Sequence, residues 1–411
     1  MKATNRLAAV MMVCVLVTCV GCALAQDWPQ WRGPARDGKV AAFTAPPTWP
    51  AAFTQKWKVS VGAGDGTPAL VGERLYVFTR QGDQEVISCL NAGDGSQVWQ
   101  DKYTAPAAAG PSARQHPGPR SSPAVAEGKV VSLGLTGIVS CLEAAEGKLL
   151  WRKDPFPGVT PRFYTASSPL ITDGMAIVYV GGPGNGALVA FDLATGDEKW
   201  RWGGEGPDYS SPVLLTVEGT KQVVSLSEKG VVGVGAADGK LLWQVPFAPA
   251  GMAYNAATPI VDGQTVIYTG SGRGTHAVKI EKKGDGFATS EVWTNPEIGC
   301  QFCTPVLQGG MLYGLSRSGN LFCVDAQTGK TAWSDATSRD RGGFGAMVNL
   351  GSAILALPSS GELVILKPDN TQYSELGHVK VADTATYACP VVAGNRIFVK
   401  DADSLTLWTL P

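Results

Sequence analysis

The sequence predicts an all-β protein, a single eight-bladed β-propeller with four strands in each blade. Three observations support this prediction: a line of residues ending in tryptophan recurs, a Ser/Thr-Pro pair recurs with the same period, and the two ends of the repeat region supply complementary parts of one blade. With 51 glycines, 27 prolines and only 17% charged residues, the 411-residue chain has the composition of a turn-rich β protein rather than a disordered one.

The tryptophan line runs from a small residue through a Gly turn to tryptophan. Clear copies occupy residues 89–99, 141–151, 190–200 and 323–333, and weaker copies end at Trp243 and Trp293. A repeat of roughly 40 to 50 residues, built from short apolar runs and Gly turns, is typical of a propeller blade. We expect the repeated tryptophans to be structural and to pack between neighbouring blades: Trp57, Trp99, Trp151, Trp200, Trp243, Trp293 and Trp333.

A Ser/Thr-Pro pair opens the first apolar run of most repeats. Proline is tolerated at the first residue of a strand, so each pair marks the start of an innermost strand. The seventh repeat, at residues 346–348, lacks the proline, and the eighth has Cys389-Pro390 instead. The complete pairs are Thr67-Pro68, Ser122-Pro123, Ser168-Pro169, Ser211-Pro212, Thr258-Pro259 and Thr304-Pro305.

The two ends of the repeat region complete one blade. The last repeat stops at residues 408–411, after its third strand, whereas residues 55–59 form a tryptophan strand with no strands before it. Pairing of these segments closes the ring and removes an exposed sheet edge. We therefore place the propeller at residues 54–411 and a lead-in segment at residues 26–53. Seven blades is the alternative count, because the seventh repeat has lost its proline and tryptophan, but the spacing favours eight.

Residues 1–25 have the pattern of a signal peptide. Lys2 and Arg6 form the charged region, residues 7–21 form the apolar stretch, and Ala23-Leu24-Ala25 fits a cleavage site before Gln26. A retained membrane anchor and lipidation at Cys22 are the alternatives. We expect an exported protein, either periplasmic or secreted, or an outer-membrane lipoprotein if Cys22 is lipidated.

The charge of the chain limits its partners. The formal net charge is −1, which excludes the strongly basic surface that nucleic-acid binding requires. We expect no nucleic-acid partner, no membrane contact other than lipidation at Cys22, and a monomer.

The line small-x-Asp-x-x-x-Gly-x-x-x-Trp resembles the tryptophan-docking repeat of the pyrroloquinoline quinone (PQQ)-like eight-bladed propellers. That superfamily includes the quinoprotein alcohol dehydrogenases and the accessory propeller lipoprotein of the outer-membrane β-barrel assembly machine. Residues 28–38 resemble the lead-in of secreted bacterial members, especially planctomycete-type ones, which implies that residues 26–53 pack on the propeller. Because one fold hosts many functions, the resemblance specifies the fold better than the activity.

The cysteines and histidines give little indication of a metal site. Cys89, Cys141 and Cys323 occupy the small position of the repeat, so we expect buried strand residues. Cys300 and Cys303, just before an innermost strand, leave three interpretations open: inert thiols, a disulfide, or part of a metal or redox site. The three histidines lie in unrelated segments, which disfavours a zinc centre.

Aromatic and polar residues lie two to five positions before the strand-starting prolines. Equivalent positions surround the mouth of the central channel, so we expect these residues to line one funnel. Aromatic faces with a few polar groups suit a flat ligand, a sugar or an extended peptide; the alternative is that the side chains plug the channel. The candidates are Arg120, Arg162, Tyr164, Tyr209, Tyr254, Asn255, Phe302 and Tyr387.

Three functions follow from these patterns. The favoured one is a non-catalytic exported propeller that binds protein or polymer partners in the cell envelope. The second is a quinoprotein dehydrogenase, since the resemblance implies that such enzymes hold PQQ with Ca²⁺, use an Asp base and often stack the cofactor on a disulfide between adjacent cysteines. This chain has no adjacent cysteines, so we assign no catalytic residue, metal or cofactor. The third is binding of a glycan or small ligand in the aromatic funnel.

Overall fold

Eight four-stranded antiparallel sheets form the blades of a propeller. The structure, a computed structural model, describes residues 27–249 and 253–410; the predicted signal peptide and Cys22 lie outside the described residues. The predicted fold class and the count of eight are confirmed, and the seven-blade alternative is wrong. Among the described residues, no helix has the length and apolar character needed to cross a bilayer.

The first half of the propeller follows the sequence repeats. The chain enters with β1 (Thr54–Ser60). Blade 1 contains β2 (Ala69–Val71), β3 (Arg74–Gln81), β4 (Gln84–Asn91) and β5 (Gln97–Thr104). A short helix, α1 (Pro111–Gln115), precedes blade 2, which contains β6 (Ala124–Ala126), β7 (Lys129–Leu133), β8 (Val139–Glu143) and β9 (Leu149–Lys153). Blade 3 contains β10 (Leu170–Thr172), β11 (Met175–Gly182), β12 (Asn185–Asp192) and β13 (Glu198–Gly203). Blade 4 contains β14 (Val213–Val217), β15 (Thr220–Leu226), β16 (Gly230–Gly235) and β17 (Leu241–Pro246).

The second half includes the degenerate seventh repeat. Blade 5 contains β18 (Ile260–Asp262), β19 (Thr265–Gly270), β20 (Gly274–Lys283) and β21 (Gly286–Asn295). Blade 6 contains β22 (Val306–Gln308), β23 (Met311–Leu315), β24 (Leu321–Asp325) and β25 (Thr331–Ser334). Blade 7 contains β26 (Gly345–Asn349), β27 (Ile354–Pro358), β28 (Glu362–Leu366) and β29 (Glu375–Lys380). Blade 8 contains β30 (Val391–Ala393), β31 (Arg396–Lys400) and β32 (Ser404–Thr409), completed by β1.

The ring closes as the sequence predicts. Strand β1 pairs antiparallel with β32, and Trp57 lies opposite Leu407 in this ladder. The strand that begins the propeller therefore covers the edge of the strand that ends it, so this blade has the same four strands as the others.

The hydroxyls of the Ser/Thr-Pro pairs link the blades around the channel. Each accepts a hydrogen bond from the backbone N–H at the equivalent position of the preceding blade, at 2.8 to 3.4 Å. The series begins at the N–H of Cys389 and ends at Thr304. We call these residues the hydroxyl belt: Thr67, Ser122, Ser168, Ser211, Thr258 and Thr304.

The repeated tryptophans connect the outer strands of the blades. Six of the seven donate their indole N–H to a backbone carbonyl of the next blade, as Trp200 does to Ala236 at 3.0 Å. Trp243 is the exception, because it donates to the side chain of Gln222 in its own blade at 2.6 Å. Blade 5 has an extended hairpin, β20–β21, where blades 1 to 4 and 6 present the Gly turn, so Trp243 meets no equivalent docking turn.

The lead-in residues cross one end of the channel. The backbone of Trp28 exchanges hydrogen bonds with Leu70, and Trp31 donates its indole N–H to Thr258 at 3.0 Å. Arg32 and Arg36, 2% and 3% exposed, donate to backbone carbonyls of blades 6 and 3 respectively. These partners are either belt residues or residues that follow the belt along the innermost strands, so the lead-in covers the strand side of the belt.

Candidate functional site

A cavity of about 430 Å³ lies in the channel, on the side of the hydroxyl belt opposite most of the lead-in contacts. Its base includes Trp31 together with belt residues Ser168, Ser211 and Thr258. The lead-in thus closes the channel at the base of the cavity, and the loops that precede the innermost strands form the cavity walls. This arrangement gives a pocket that opens to solvent rather than a pore through the ring.

Six aromatic side chains form a nearly continuous wall. Tyr254 contacts Phe163, Tyr209 and Phe302 with ring-centroid distances of 5.3, 4.8 and 5.5 Å. The series continues through Phe344, which stacks on Phe302 at 3.7 Å. We call this set the aromatic wall: Phe163, Tyr209, Tyr254, Phe302, Phe344 and Tyr387.

The opposite side of the cavity is polar. His116 Nδ1 lies 2.7 Å from Asp65 Oδ2, and the imidazole ring packs edge-on against Tyr387 at 4.6 Å. Arg120 donates hydrogen bonds to the backbone carbonyls of Phe163, Ser112 and His116. Asp65, His116 and Arg120 are called the polar wall below.

Burial alters the acid–base properties of the lining. Burial raises the pKa of Tyr209 to about 12 and also raises the pKa of Tyr254 and Tyr387. These phenols therefore stay neutral at physiological pH. Burial lowers the pKa of Arg120, opposed in part by the negative charge of Asp65.

Five of the eight predicted funnel residues line this cavity. They are Arg120, Tyr209, Tyr254, Phe302 and Tyr387.

The other three predicted residues lie outside the lining. Arg162 is exposed, with its guanidinium carbon 5.2 Å from the centroid of the Phe163 ring. The Tyr164 hydroxyl is held by the backbone of Ala109, at 2.6 Å from N and 3.2 Å from O. Asn255 is 1% exposed and is held behind the lining, where its amide donates to the Phe247 carbonyl at 3.3 Å.

Several lining residues escaped the sequence analysis. Asp65 lies three positions before Pro68, so the rule applied to the other blades would have found it. Phe344 precedes the innermost strand of blade 7, where the missing proline hid the position. His116 follows α1 in a segment that no other repeat shares, and no sequence signal marked it.

Cys300 and Cys303 are free, buried thiols, so the disulfide interpretation does not hold in the structure. The two residues belong to different blade contacts: the N–H of Cys300 bonds Thr269 in blade 5, whereas Cys303 Sγ accepts the N–H of Leu315 in blade 6. Burial raises the pKa of Cys303 to about 11 and that of Cys300 well above its usual range. Both thiols therefore resist ionisation, which disfavours redox chemistry.

The donor set of the cavity does not fit PQQ with Ca²⁺. Calcium takes six to eight oxygen ligands in proteins, with several carboxylates or carbonyls converging. Asp65 is the one carboxylate among the described lining residues, and His116 already engages it. Within residues 27–249 and 253–410, no group of three or more His, Cys, Asp or Glu side chains is placed to hold a metal.

Comparison with known proteins connects the chain to one family. A family model described as "Outer membrane protein assembly factor BamB" matches residues 82–335. The outer membrane protein assembly factor BamB of Burkholderia pseudomallei is 26% identical over 363 residues, covering 85% of this chain and 86% of that protein.

Solved structures share the fold. BamB from Moraxella catarrhalis superposes with a TM-score of 0.65 at 16% identity, covering 88% of this chain and 98% of that chain. Quinohemoprotein alcohol dehydrogenase from Comamonas testosteroni superposes with a TM-score of 0.70 at 15% identity, covering 93% and 80%. At these identities the structural similarity shows the propeller architecture and nothing about chemistry.

Proposed function

Because the chain belongs to the outer membrane protein assembly factor BamB family, we propose that it is a non-catalytic exported propeller that binds protein partners in the cell envelope. The observation that carries this proposal is the family match, which extends over residues 82–335. The similarity to the Burkholderia protein extends over 85% of the chain and thus includes most of the ring.

The proposed partner is a protein that takes part in outer-membrane protein assembly, as the name of these relatives indicates. The regular blades support a binding role, since a rigid ring presents loops and outer strands at fixed positions. The donor set of the cavity supports the non-catalytic part, because it offers no cluster of carboxylates for Ca²⁺.

Photo-crosslinking in the native envelope tests this proposal. Val98 and Val292 are 41% and 46% exposed on the outermost strands of blades 1 and 5, which lie on opposite sides of an eight-bladed ring. A crosslinking residue at each position samples two faces of the protein. We expect one face to capture an outer-membrane assembly protein, and deletion of the protein to lower outer-membrane protein levels. Capture of no such protein, together with unchanged levels, would overturn the proposal.

A quinoprotein dehydrogenase is the competing function. Titration of the protein with PQQ and Ca²⁺, followed by dye reduction with a panel of alcohols, separates the two. We expect neither binding nor turnover, because the described lining residues include one carboxylate, Asp65, where Ca²⁺ in proteins takes several. Tight binding with turnover would make the cavity an active site.

The site of action is proposed to be the periplasm or the inner face of the outer membrane. The apolar run at residues 7–21 and the small residues at 23–25 support export. N-terminal analysis of the mature protein distinguishes the two routes. A chain that begins at Gln26 is soluble after cleavage, whereas a lipidated chain begins at Cys22.

A further inference from the structure

The cavity has two walls of different chemistry, one aromatic and one polar. The proposed binding of an envelope protein gives no role to this arrangement. Phe302 and Phe344 belong to the aromatic wall and stack with an interplanar angle of 10°. Asp65 and His116 belong to the polar wall, with side chains 17% and 16% exposed. A volume of about 430 Å³ lies within the range of small-molecule pockets and exceeds what one or two waters need.

His116 has one ring nitrogen committed and one available. Asp65 is an acceptor, so the 2.7 Å contact places the proton of a neutral imidazole on Nδ1. In that tautomer Nε2 carries a lone pair and accepts hydrogen bonds. No residue in the described part of the chain bonds Nε2, while the ring itself lines the cavity. This nitrogen is therefore an acceptor for a ligand hydroxyl.

Arg120 holds the polar wall in place. Its two terminal nitrogens bond the carbonyls of Ser112 and His116, at the ends of α1, and of Phe163 in the aromatic wall. Its Nε is buried without a hydrogen-bond partner among the described residues. No carboxylate in the described part of the chain pairs with the Arg120 guanidinium directly, so its charge favours an oxygen-rich ligand over a cationic one.

The aromatic wall selects for a ring. Aromatic side chains pack against the flat faces of aromatic ligands and against the C–H faces of sugars, and their hydroxyls add polar contacts at the edge. Tyr209 and Tyr254 meet at 66°, so their faces turn in different directions around the cavity. A compact ring can contact several of these side chains at once, whereas a flexible chain would lose more conformational entropy on binding.

We propose that this cavity binds a small ligand built on a hydroxyl-bearing ring, with the ring against the aromatic wall and one hydroxyl donating a hydrogen bond to His116 Nε2. The proposal goes beyond the envelope-partner function and does not depend on it. The shared chemistry, a ring with a hydroxyl, is met by a monosaccharide unit and by a phenol.

Isothermal titration with three probes tests the proposal and distinguishes these two sources. The probes are p-nitrophenyl β-D-glucopyranoside, methyl β-D-glucopyranoside and p-nitrophenol. Binding of the glucosides but not of p-nitrophenol assigns a carbohydrate, and binding of p-nitrophenol but not of methyl glucoside assigns a phenol. Binding of none of the three overturns the proposal.

Two variants place the bound probe in the cavity. His116→Ala should weaken binding about 10-fold, the loss expected for one good hydrogen bond. Ala256 lines the cavity, so Ala256→Phe fills space without removing a polar group and should abolish binding. His378→Ala is the matched control, because His378 is exposed and pairs with Glu375 on an outer strand. Wild-type affinity in both cavity variants would overturn the proposal, even if the probe binds elsewhere.

Asp65 is a positioning residue in this proposal, and its test needs a readout other than affinity. The ¹⁵N spectrum of His116 reports which nitrogen carries the proton. We expect the Nδ1-protonated tautomer in the wild type and a mixture in Asp65→Asn, together with weaker probe binding. If Asp65→Asn left both the tautomer of His116 and the affinity for the probe unchanged, Asp65 would not be a positioning residue.

Discussion

The backbone N–H of Thr67 donates a 2.9 Å hydrogen bond to the hydroxyl of Ser122 in the next blade. The sequence explains the proline of each Ser/Thr-Pro pair by the start of a strand, but the hydroxyl has this separate role. It satisfies a buried backbone donor across a blade boundary, at a level where the channel would otherwise leave that donor unpaired. A Ser or Thr is therefore required by the neighbouring blade rather than by its own.

Ser122→Ala is expected to lower the free energy of unfolding by about 1–3 kcal/mol, because the N–H of Thr67 loses its acceptor while it stays buried. Denaturant unfolding followed by tryptophan fluorescence measures the change. Ser132→Ala is the matched control, since the Ser132 hydroxyl is equally buried but has no partner in the described structure. It should be neutral or slightly stabilising, and equal losses in the two variants would contradict the belt.

The repeat made the fold predictable from the sequence and left the site half predictable. Blade count and ring closure depend on turn chemistry and strand period, which are local and recur, so even the degenerate blade 7 keeps its place. The lining of the cavity comes from the loops that precede the innermost strands, and the sequences of these loops are not repeated from blade to blade. Tyr164 precedes an innermost strand as Tyr209 does, yet its side chain turns to Ala109 in a segment that the other repeats of this chain do not share.

Trp200→Ala is expected to cost about 3–5 kcal/mol, because the 7% exposed indole packs on the next blade and bonds Ala236. Trp200→Phe retains an aromatic ring but removes the N–H bond and part of the buried indole, so it should cost less than Trp200→Ala but at least about 1 kcal/mol. Thermal and denaturant unfolding measure both. A melting curve unchanged in Trp200→Ala would show that this tryptophan does not join blades 3 and 4.

Gly233 leaves room for the Trp243 indole to pack on its own blade, where it bonds Gln222. The small position opposite the tryptophan holds Ala190 in blade 3 but Gly233 in blade 4, and a Cβ there would lie 2.1 Å from Trp243 Cε2. Gly233→Ala should therefore displace the indole from Gln222 and lower stability by about 1–3 kcal/mol.

Gly286→Ala provides the comparison for that substitution. Gly286 also lies in a strand, as the first residue of β21, but the nearest atom to an added Cβ is 4.0 Å away. Its stability should change by less than about 0.5 kcal/mol. Similar losses at positions 233 and 286 would show that the indole of Trp243 does not depend on the missing methyl group.

Arg36→Met should destabilise the closed end of the channel. The guanidinium is buried and donates to the carbonyls of Ser168 at 3.1 Å and Pro169 at 2.7 Å, and burial lowers its pKa to about 9. Removing it leaves two buried acceptors unpaired, and we expect a loss of about 1–3 kcal/mol with faster proteolysis of residues 27–53. Arg341→Met, at an exposed position, should leave both measurements unchanged. Equal proteolysis of the two variants would contradict a clamping role for Arg36.

Asp208 should make the free energy of unfolding depend on pH between roughly pH 4 and 7. Burial raises its pKa to about 7; its hydrogen bond with the N–H of Asn255 and the charge of Arg273 oppose the rise, and the charge of Glu228 adds to it. The unfolded value is about 3.9, so the folded protein binds the extra proton between roughly pH 4 and 7, and this group's contribution to stability falls as pH rises through that window. Asp208→Asn keeps an acceptor for Asn255 but cannot ionise. Its stability relative to the wild type should therefore rise by about 1–3 kcal/mol from pH 5 to pH 8.

Asp173 is the control for the direction of this pH dependence, because its pKa is shifted in the opposite direction to that of Asp208. Lys221 pairs with this exposed carboxylate at 2.7 Å and lowers its pKa, so the stability it contributes is present above its unfolded pKa and is lost as pH falls. Asp173→Asn should consequently be less stable than the wild type by a small, constant amount between pH 5 and 8, and this difference should shrink only in more acidic solution. Denaturant unfolding at pH 3, 5 and 8 measures both variants. If the Asp208→Asn difference were the same at pH 5 and pH 8, the carboxylate of Asp208 would be ionised throughout, and its burial would not govern its charge.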